Sequence, residues 1–600
     1  MHHLPLALYL CLSVFTHLSS AYTWPSPQYD ALEGLLYEGR KSDGSSLSSI
    51  VHPCRKRTGT LASIAAEWLR FAFHDMATHN VNNGTGGLDG SLVYELDRPE
   101  NFGLGFNQTA SDFENYPNKL VSRADIISIG AIFAVATCGG PIIPFRGGRI
   151  DAYSAGNFGT PQPQDDLGSL TTSFQNQGFN TAEMIKLVAC GHTMGGVRSS
   201  DFPELVPAGP DPNVPNIANF DTTTQFDNAV VTEYLSGYTK NVLVVTSNKT
   251  MASDLRVFQS DGNSTMRSLT SASTFASECQ SIFARMLDTV PAGVTLTDEI
   301  TLLPVKVNGV QLSIEEQKLV FKASLRLIQP INATANAKRT VTMLWCDKYG
   351  SAAACKGATR SSLPVNTLSD DPNISPVTLN LGYYFINYNF VVPIDSAASI
   401  SKFWFQVDEH NGTAATTYNN GGSGYVLPQD QIFFVPKLSH VDNVQNMTYT
   451  QVYTNRDGSA YTHVYTIVAA VRNDTTPSRV YVNGFDSSVH GYPYYVNVTV
   501  DLALNSSLSS GVPGYNLYSG IVNDSGYQLT LDLHATSGGA TYTQDFVATT
   551  FLDNTPYVAP STPSNAAVKS SGSRSSFAHV FGWTPVACSL SLIVALTFWR

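Results

Sequence analysis

Apolar positions change their spacing about half-way along the chain. In the first half they recur with helical periodicity. Residues 60–67 run into Trp68–Phe73, an apolar and aromatic stretch around the single charge of Arg70, and the whole reads as one helix. Asn180-Thr181-Ala182-Glu183 has the form of a capping box, with Asn180 as N-cap and Glu183 at the third helical position; Met184, Ile185, Leu187 and Val188 then form an apolar stripe. Ser122 opens another capped helix that closes at Cys138-Gly139-Gly140. From about residue 299 the chain becomes rich in Val, Thr, Tyr and Asn. The runs Tyr383 to Val392, His463 to Val471 and Tyr494 to Val500 are bounded by turn formers and predict short strands of a sandwich-like kind. The predicted fold is multidomain: a mainly α bundle over 22–298, then a β-rich region long enough for two modules, 299–435 and 436–556.

Both ends read as processing segments. Residues 1–21 have an apolar core, Leu4 to Phe15, and end in Ser19-Ser20-Ala21, the pattern of a signal peptide. Residues 557–576 are rich in Ser, Pro, Ala and Thr, a linker composition; residues 577–600 are largely apolar with only Arg600 after them. Small residues at Ser570 to Ser573, a short polar spacer and an apolar tail predict a GPI-attachment signal, the alternative being a C-terminal transmembrane helix. The expected location is the extracellular cell surface.

Two histidine motifs about 120 residues apart carry the chemistry. Arg70 and His74 stand at i and i+4, so a helix puts them on one face. A neutral imidazole beside a permanent cation suits cleavage of a peroxide bond: the ring moves a proton between the two oxygens, and the guanidinium stabilises charge on the leaving one. His192 falls at the end of the capped helix, next to Gly191, where it can ligate a haem iron through one nitrogen. The other nitrogen then needs an acceptor to orient the ring and raise its basicity, and Asp261 is the sequence candidate.

With these residues in this order, residues 50 to 290 resemble the plant-type (non-animal) haem peroxidases, most closely the secreted fungal hybrid type B enzymes. The resemblance implies haem b as cofactor, hydrogen peroxide as substrate, Arg70, Phe73 and His74 as the distal residues, Asn101 as the hydrogen-bond partner of His74 with Glu95 six residues before it, His192 as iron ligand and Asp261 as its acidic partner. Gly147-Gly148-Arg149-Ile150-Asp151 matches the family's Gly-Arg-x-Asp stretch. The resemblance also implies two calcium sites, one from Asp75, Gly87, Asp89 and Ser91, the other from Thr193, Asp221, Thr223 and Asp227; carboxylate, hydroxyl and carbonyl oxygens are what a hard cation takes.

Departures from the relatives narrow the reductant. Phe73 stands where some relatives carry Trp, Leu187 where lignin-degrading ones carry a surface Trp, and Arg198 where manganese-oxidising ones carry an acid; Glu67 fits one of that site's other acids, but Ser63 replaces the second. A small aromatic or phenolic donor is left by exclusion.

Composition fits export. Outside the terminal segments six cysteines remain: Cys54, Cys138, Cys190, Cys279, Cys346 and Cys355. Cys346 and Cys355 can close a short loop, and the resemblance implies Cys54 with Cys138, leaving Cys190 with Cys279. Sequons are dense, including Asn83, Asn107, Asn263, Asn332, Asn446, Asn473 and Asn497. With 35 basic against 47 acidic residues the chain gives no support for nucleic-acid binding. Exposed Tyr and Trp in the β-rich half are candidates for binding wall glycans, against the plainer expectation that they fill its core. The competing function is a wall-organising or adhesive surface protein carrying a weakly active peroxidase-like domain.

Overall fold

The computed structural model describes residues 22–552 apart from 42–43, 212–213, 357–358, 371–374, 446–460, 487–495 and 525–527. The predicted signal peptide, the linker with its attachment signal, the apolar tail and the Asn446 sequon lie outside the described residues.

Helices make the first part: α1 (Pro27–Glu33), α2 (Ile64–Met76), α3 (Leu104–Phe113), α4 (Arg123–Thr137), α5 (Thr181–Gly191), α6 (Ser253–Phe258) and α7 (Ala272–Leu287) are the ones that build the site and its frame. Their starts follow local chemistry. Ser63 caps α2 by accepting from the Ala66 N–H, Ser122 caps α4 from Asp125, and Asn180 and Glu183 close the predicted reciprocal box on α5. α4 is buried from Arg123 to Ala136 and, past Ser128, apolar all round, the central helix of the bundle. It takes α3 at close range: a Cβ on Gly130 would meet Phe113 Cζ at 2.4 Å, so the position excludes a side chain.

The Gly-Arg-x-Asp stretch straps the loop after α4 to that helix's first turn. Asp151 accepts the Arg123 and Ala124 N–H groups, both at 2.9 Å, and Arg149 pairs with Asp125 at 2.9 Å with neither side chain more than 1% exposed. Carboxylates at a helix N-terminus also complement its dipole. Disulfides join Cys54 to Cys138, Cys190 to Cys279 and Cys346 to Cys355. The first fixes the α4 terminus, and the second ties the end of α5, one residue before Gly191, to α7.

The second part is antiparallel. Its main strands are β1 (Val305–Glu315), β2 (Lys318–Pro330), β3 (Thr340–Cys346), β4 (Asn366–Ser369), β5 (Tyr383–Pro393), β6 (Lys402–Asp408), β7 (Ile432–Phe434), β8 (Tyr461–Arg472), β9 (Arg479–Asp486), β10 (Val496–Asp501), β11 (Tyr515–Asp524), β12 (Thr530–Ser537) and β13 (Ala540–Ala548). They form sheets in the orders β1-β2-β5-β4, β3 beside β6, β7-β8-β11, and β10-β9-β12-β13, with shorter strands on the second and third.

The third sheet is buried on both faces. Phe433, Val468, Ala470 and Leu517 enter the core shared with the first two sheets, while Ile432, Phe434, Ile467, Ala469 and Val471 enter the core shared with the fourth. That explains the unbroken apolar run Ile467 to Val471: a strand covered on one side alternates, and one covered on both sides does not. Similarly β5 sends Phe385 into the helical core and Ile386 into the next one.

Candidate active site

α2 and the end of α5 face each other across a cavity of about 320 Å³. Arg70, Phe73 and His74 line it from α2, and Leu187, Val188 and His192 from α5. On α2 the helical repeat brings Arg70 and His74 to the cavity side and turns Trp68 and Phe71 into the core.

Each imidazole is held by its far nitrogen. His74 Nδ1 lies 2.8 Å from Asn101 Oδ1, and Asn101 Nδ2 donates to the Glu95 carbonyl at 2.9 Å. That second bond fixes which end of the amide faces the ring, so Oδ1 accepts from Nδ1–H and the Nε2 lone pair is left free. Glu95 is itself anchored by the Gly156 N–H, at 2.6 Å, and by Arg98. Burial, and then the Arg70 charge, push the His74 pKa well below its ordinary value, against a smaller upward pull from Asn101, so the ring is a neutral base at neutral pH. Arg70 is open to the cavity but walled in by protein. Burial brings it down to about 10, with the Asp201 carboxylate pulling the other way, and it stays a cation.

On the opposite wall the acidic partner of His192 is Asp254, not Asp261. His192 Nδ1 is 2.8 Å from Asp254 Oδ2, and the same carboxylate oxygen accepts from Asn241 Nδ2 at 2.7 Å. Asp254 stands in the first turn of α6 and is 1% exposed. Asp261 lies beyond the C-terminal end of that helix and takes the Thr265 N–H and hydroxyl at 2.9 and 2.6 Å, so it serves the next helical turn. Sequence reasoning also missed Asn241 and Phe220, whose ring stacks on His192 at 4.2 Å and 9°. With Nδ1–H committed to a carboxylate, His192 keeps Nε2 as a free lone-pair donor. Two tethered imidazoles across an apolar-walled cavity fit a flat, largely apolar group carrying a metal at its centre.

The expected oxygen clusters assemble as well. The Asp75 carboxylate accepts backbone N–H groups of Asp89, Gly90 and Leu92 at 2.8–3.0 Å, and Asp89 accepts that of Ser91 at 3.1 Å. Burial first, and then their neighbouring charges, push both carboxyls up. Gly87 has φ +120°, and a Cβ there would meet the Thr289 carbonyl at 2.8 Å. On the other side Thr193 Oγ1 bonds the Asp227 backbone, Thr223 donates to Asp221 Oδ1, and Asp221 Oδ2 is buried without a partner. Burial brings the Asp221 carboxyl up to about 7. Among the described residues no group of three or more His, Cys, Asp or Glu side chains has metal-binding geometry, so a cation at either place depends on hydroxyl and carbonyl oxygens too.

A family model described as Peroxidase matches residues 53–274, the segment holding His74, His192 and Asp254. That segment is a domain of the non-animal haem peroxidase superfamily. The peroxidase domain is 33% identical over 190 residues to L-ascorbate peroxidase 5, peroxisomal, of Arabidopsis thaliana, covering 31% of this chain and 63% of that one. Mitochondrial cytochrome c peroxidase of Cryptococcus neoformans is 31% identical over 142 residues, 22% of this chain and 37% of its own. A WSC domain-containing protein of Arthroderma benhamiae is 37% identical over 335 residues, 55% of this chain and 46% of its own, a match longer than the peroxidase domain. The chain thus spans less than two thirds of the length of each of these relatives.

Proposed function

We propose that the protein is a haem b peroxidase of the extracellular cell surface that reduces hydrogen peroxide and draws electrons from small aromatic, chiefly phenolic, donors. One observation carries the reading: His74 and His192, each tethered through Nδ1, line one apolar cavity together with Arg70. Bound haem would supply the redox-active iron for the peroxide chemistry. His192 Nε2 would hold that iron, with Asp254 orienting the imidazole through Nδ1. His74 Nε2 would take a proton from one peroxide oxygen and return it to the other as that leaves, and Arg70 would meet the negative charge on the departing oxygen. Phe73 walls the cavity beside them.

Glu67 supports an organic reductant. It is paired with Arg57 at 2.7 Å and with Arg198, so that acid is already neutralised. The cavity lining also includes Phe202 and Leu61, the latter 60% exposed. We assign calcium to the Asp75, Gly87, Asp89, Ser91 cluster and to the Thr193, Asp221, Thr223, Asp227 cluster, where carboxylate, hydroxyl and backbone oxygens of the kind a hard cation takes stand together. Export, glycosylation and a lipid anchor follow from the terminal sequences and the sequons. A second reading, an adhesive or wall-organising protein with a weak peroxidase domain, draws on the β-rich half and on the match to the WSC-named relative extending past the peroxidase domain.

The deciding variant is His74→Ala. The peroxidase reading expects it to keep haem and to react with peroxide about 10²–10⁴-fold more slowly. Because the His74 pKa lies well below 6.5, the parent rate stays level from neutral pH through 6.5 and falls only at lower pH, as the ring protonates. Undiminished turnover in His74→Ala rejects the assignment.

A further inference from the structure

Trp68 is the one tryptophan within residues 53–274, and it is fully buried on the core side of α2. Its Nε1–H donates to Asp112 Oδ2 at 2.7 Å. From the indole a series of aromatic rings runs back to the cavity. Ring centroids are 4.8 Å apart from Trp68 to Phe113, 5.9 Å from Phe113 to Phe71, 6.2 Å from Phe71 to Phe106 and 4.5 Å from Phe106 to His74. The Arg70 guanidinium lies over the same Phe106 ring, at 4.5 Å.

We propose that Trp68 is an internal one-electron donor, at which an oxidising equivalent from the peroxide pocket comes to rest as an indole radical held by Asp112. The inference rests on the peroxidase reading above. Indole is the most readily oxidised side chain among these rings; phenylalanine is not oxidised under such conditions and serves only as close-packed medium. The partly buried carboxylate puts a negative charge against the indole N–H at the edge of the core, where it favours the oxidised, positive ring over the neutral one. Arg57 also pairs with Asp112, at 2.9 and 2.5 Å, and with Glu67, at 2.7 Å, and Arg198 pairs with Glu67 too, so the charges of this cluster balance and the carboxylate is the charged group bonded to the indole nitrogen.

The electron balance closes. Hydrogen peroxide is the oxidant, taking two electrons and two protons to become water. One of the two electrons would come from the Trp68 π-system and the other from the iron of the bound haem. No bond of Trp68 breaks, and the Nε1 proton stays in its hydrogen bond to Asp112. A later electron from the external donor restores the indole.

The test is freeze-quenched electron paramagnetic resonance of the haem-loaded full chain after one equivalent of hydrogen peroxide, without donor, with visible absorption followed in parallel. The proposal expects a tryptophanyl signal that narrows when the protein is made with ring-deuterated tryptophan, which needs no substitution. It expects the signal to vanish in Trp68→Phe, to fall about tenfold in Asp112→Asn as the charge-assisted bond is lost, and peptide mapping after repeated peroxide to find added oxygen on Trp68. An absorption change with only tyrosyl or porphyrin signals, or a tryptophanyl signal that survives Trp68→Phe, overturns this inference alone. Absence of any absorption change with peroxide overturns the peroxidase reading, and this inference with it.

Discussion

The two imidazoles are tuned oppositely by their tethers. A neutral amide oxygen on His74 fixes the tautomer while leaving the ring a weakly basic proton carrier; a carboxylate on His192 makes its free nitrogen a strong donor. Asp254 and Asp261 stand seven residues apart in similar Ser-Asp settings, so they make a controlled pair. Asp254→Asn is expected to raise the haem reduction potential and to slow the peroxide reaction by about 10–100-fold, whereas Asp261→Asn leaves both near the parent values; redox titration and stopped-flow absorption read the difference. The reverse pattern restores Asp261 as the partner. Arg70, His74 and His192 were legible because their placement is a local matter of helical repeat and helix end. The choice between two aspartates was not, since it depends on how α6 packs against α5, and only the apolar positions that follow Asp254, Val257 and Phe258, marked the buried turn.

Among the elements, α1 is fastened to the first sheet by a charge cluster that no local pattern announces. Glu33 on α1 pairs with Lys306 of β1 and Arg326 of β2, all three 3% exposed or less. Burial alone raises the Glu33 pKa, but the two cations outweigh it and hold it at about 2. Its folded pKa is therefore below the unfolded value of 4.5, so its contribution is present above pH 4.5 and is lost as pH falls toward 2. Glu33→Gln leaves two buried cations short of a partner and is expected to cost about 3–5 kcal/mol in chemical denaturation; a loss under 1 kcal/mol contradicts the assignment. The strand runs of the second half were readable from composition. That one sheet is covered on both faces was also written in the unbroken run Ile467 to Val471, but a lone apolar run does not say what covers it.

At the scale of the whole molecule, the peroxidase domain and the β-rich region share apolar contacts: Phe385 of β5 and Val377 of the short helix Pro376–Asn380 belong to the helical core. We expect the calcium-loaded chain to melt several degrees above the chelated one, because an ion that binds only the folded state stabilises it by mass action, with recovery on adding calcium back. Asp89→Asn and Asp221→Asn should each lose one ion by elemental analysis, and an unchanged ion count removes the site concerned. The account's central claim, a working haem pocket between α2 and α5, is tested most directly by visible absorption of the folded full chain supplied with haem. It predicts one haem per chain with a Soret band, a spectral change on one equivalent of hydrogen peroxide, a return to the resting spectrum on adding a phenol, and loss or loosening of the haem in His192→Ala. A folded, haem-supplied protein with no Soret band, or one whose spectrum ignores peroxide, contradicts it.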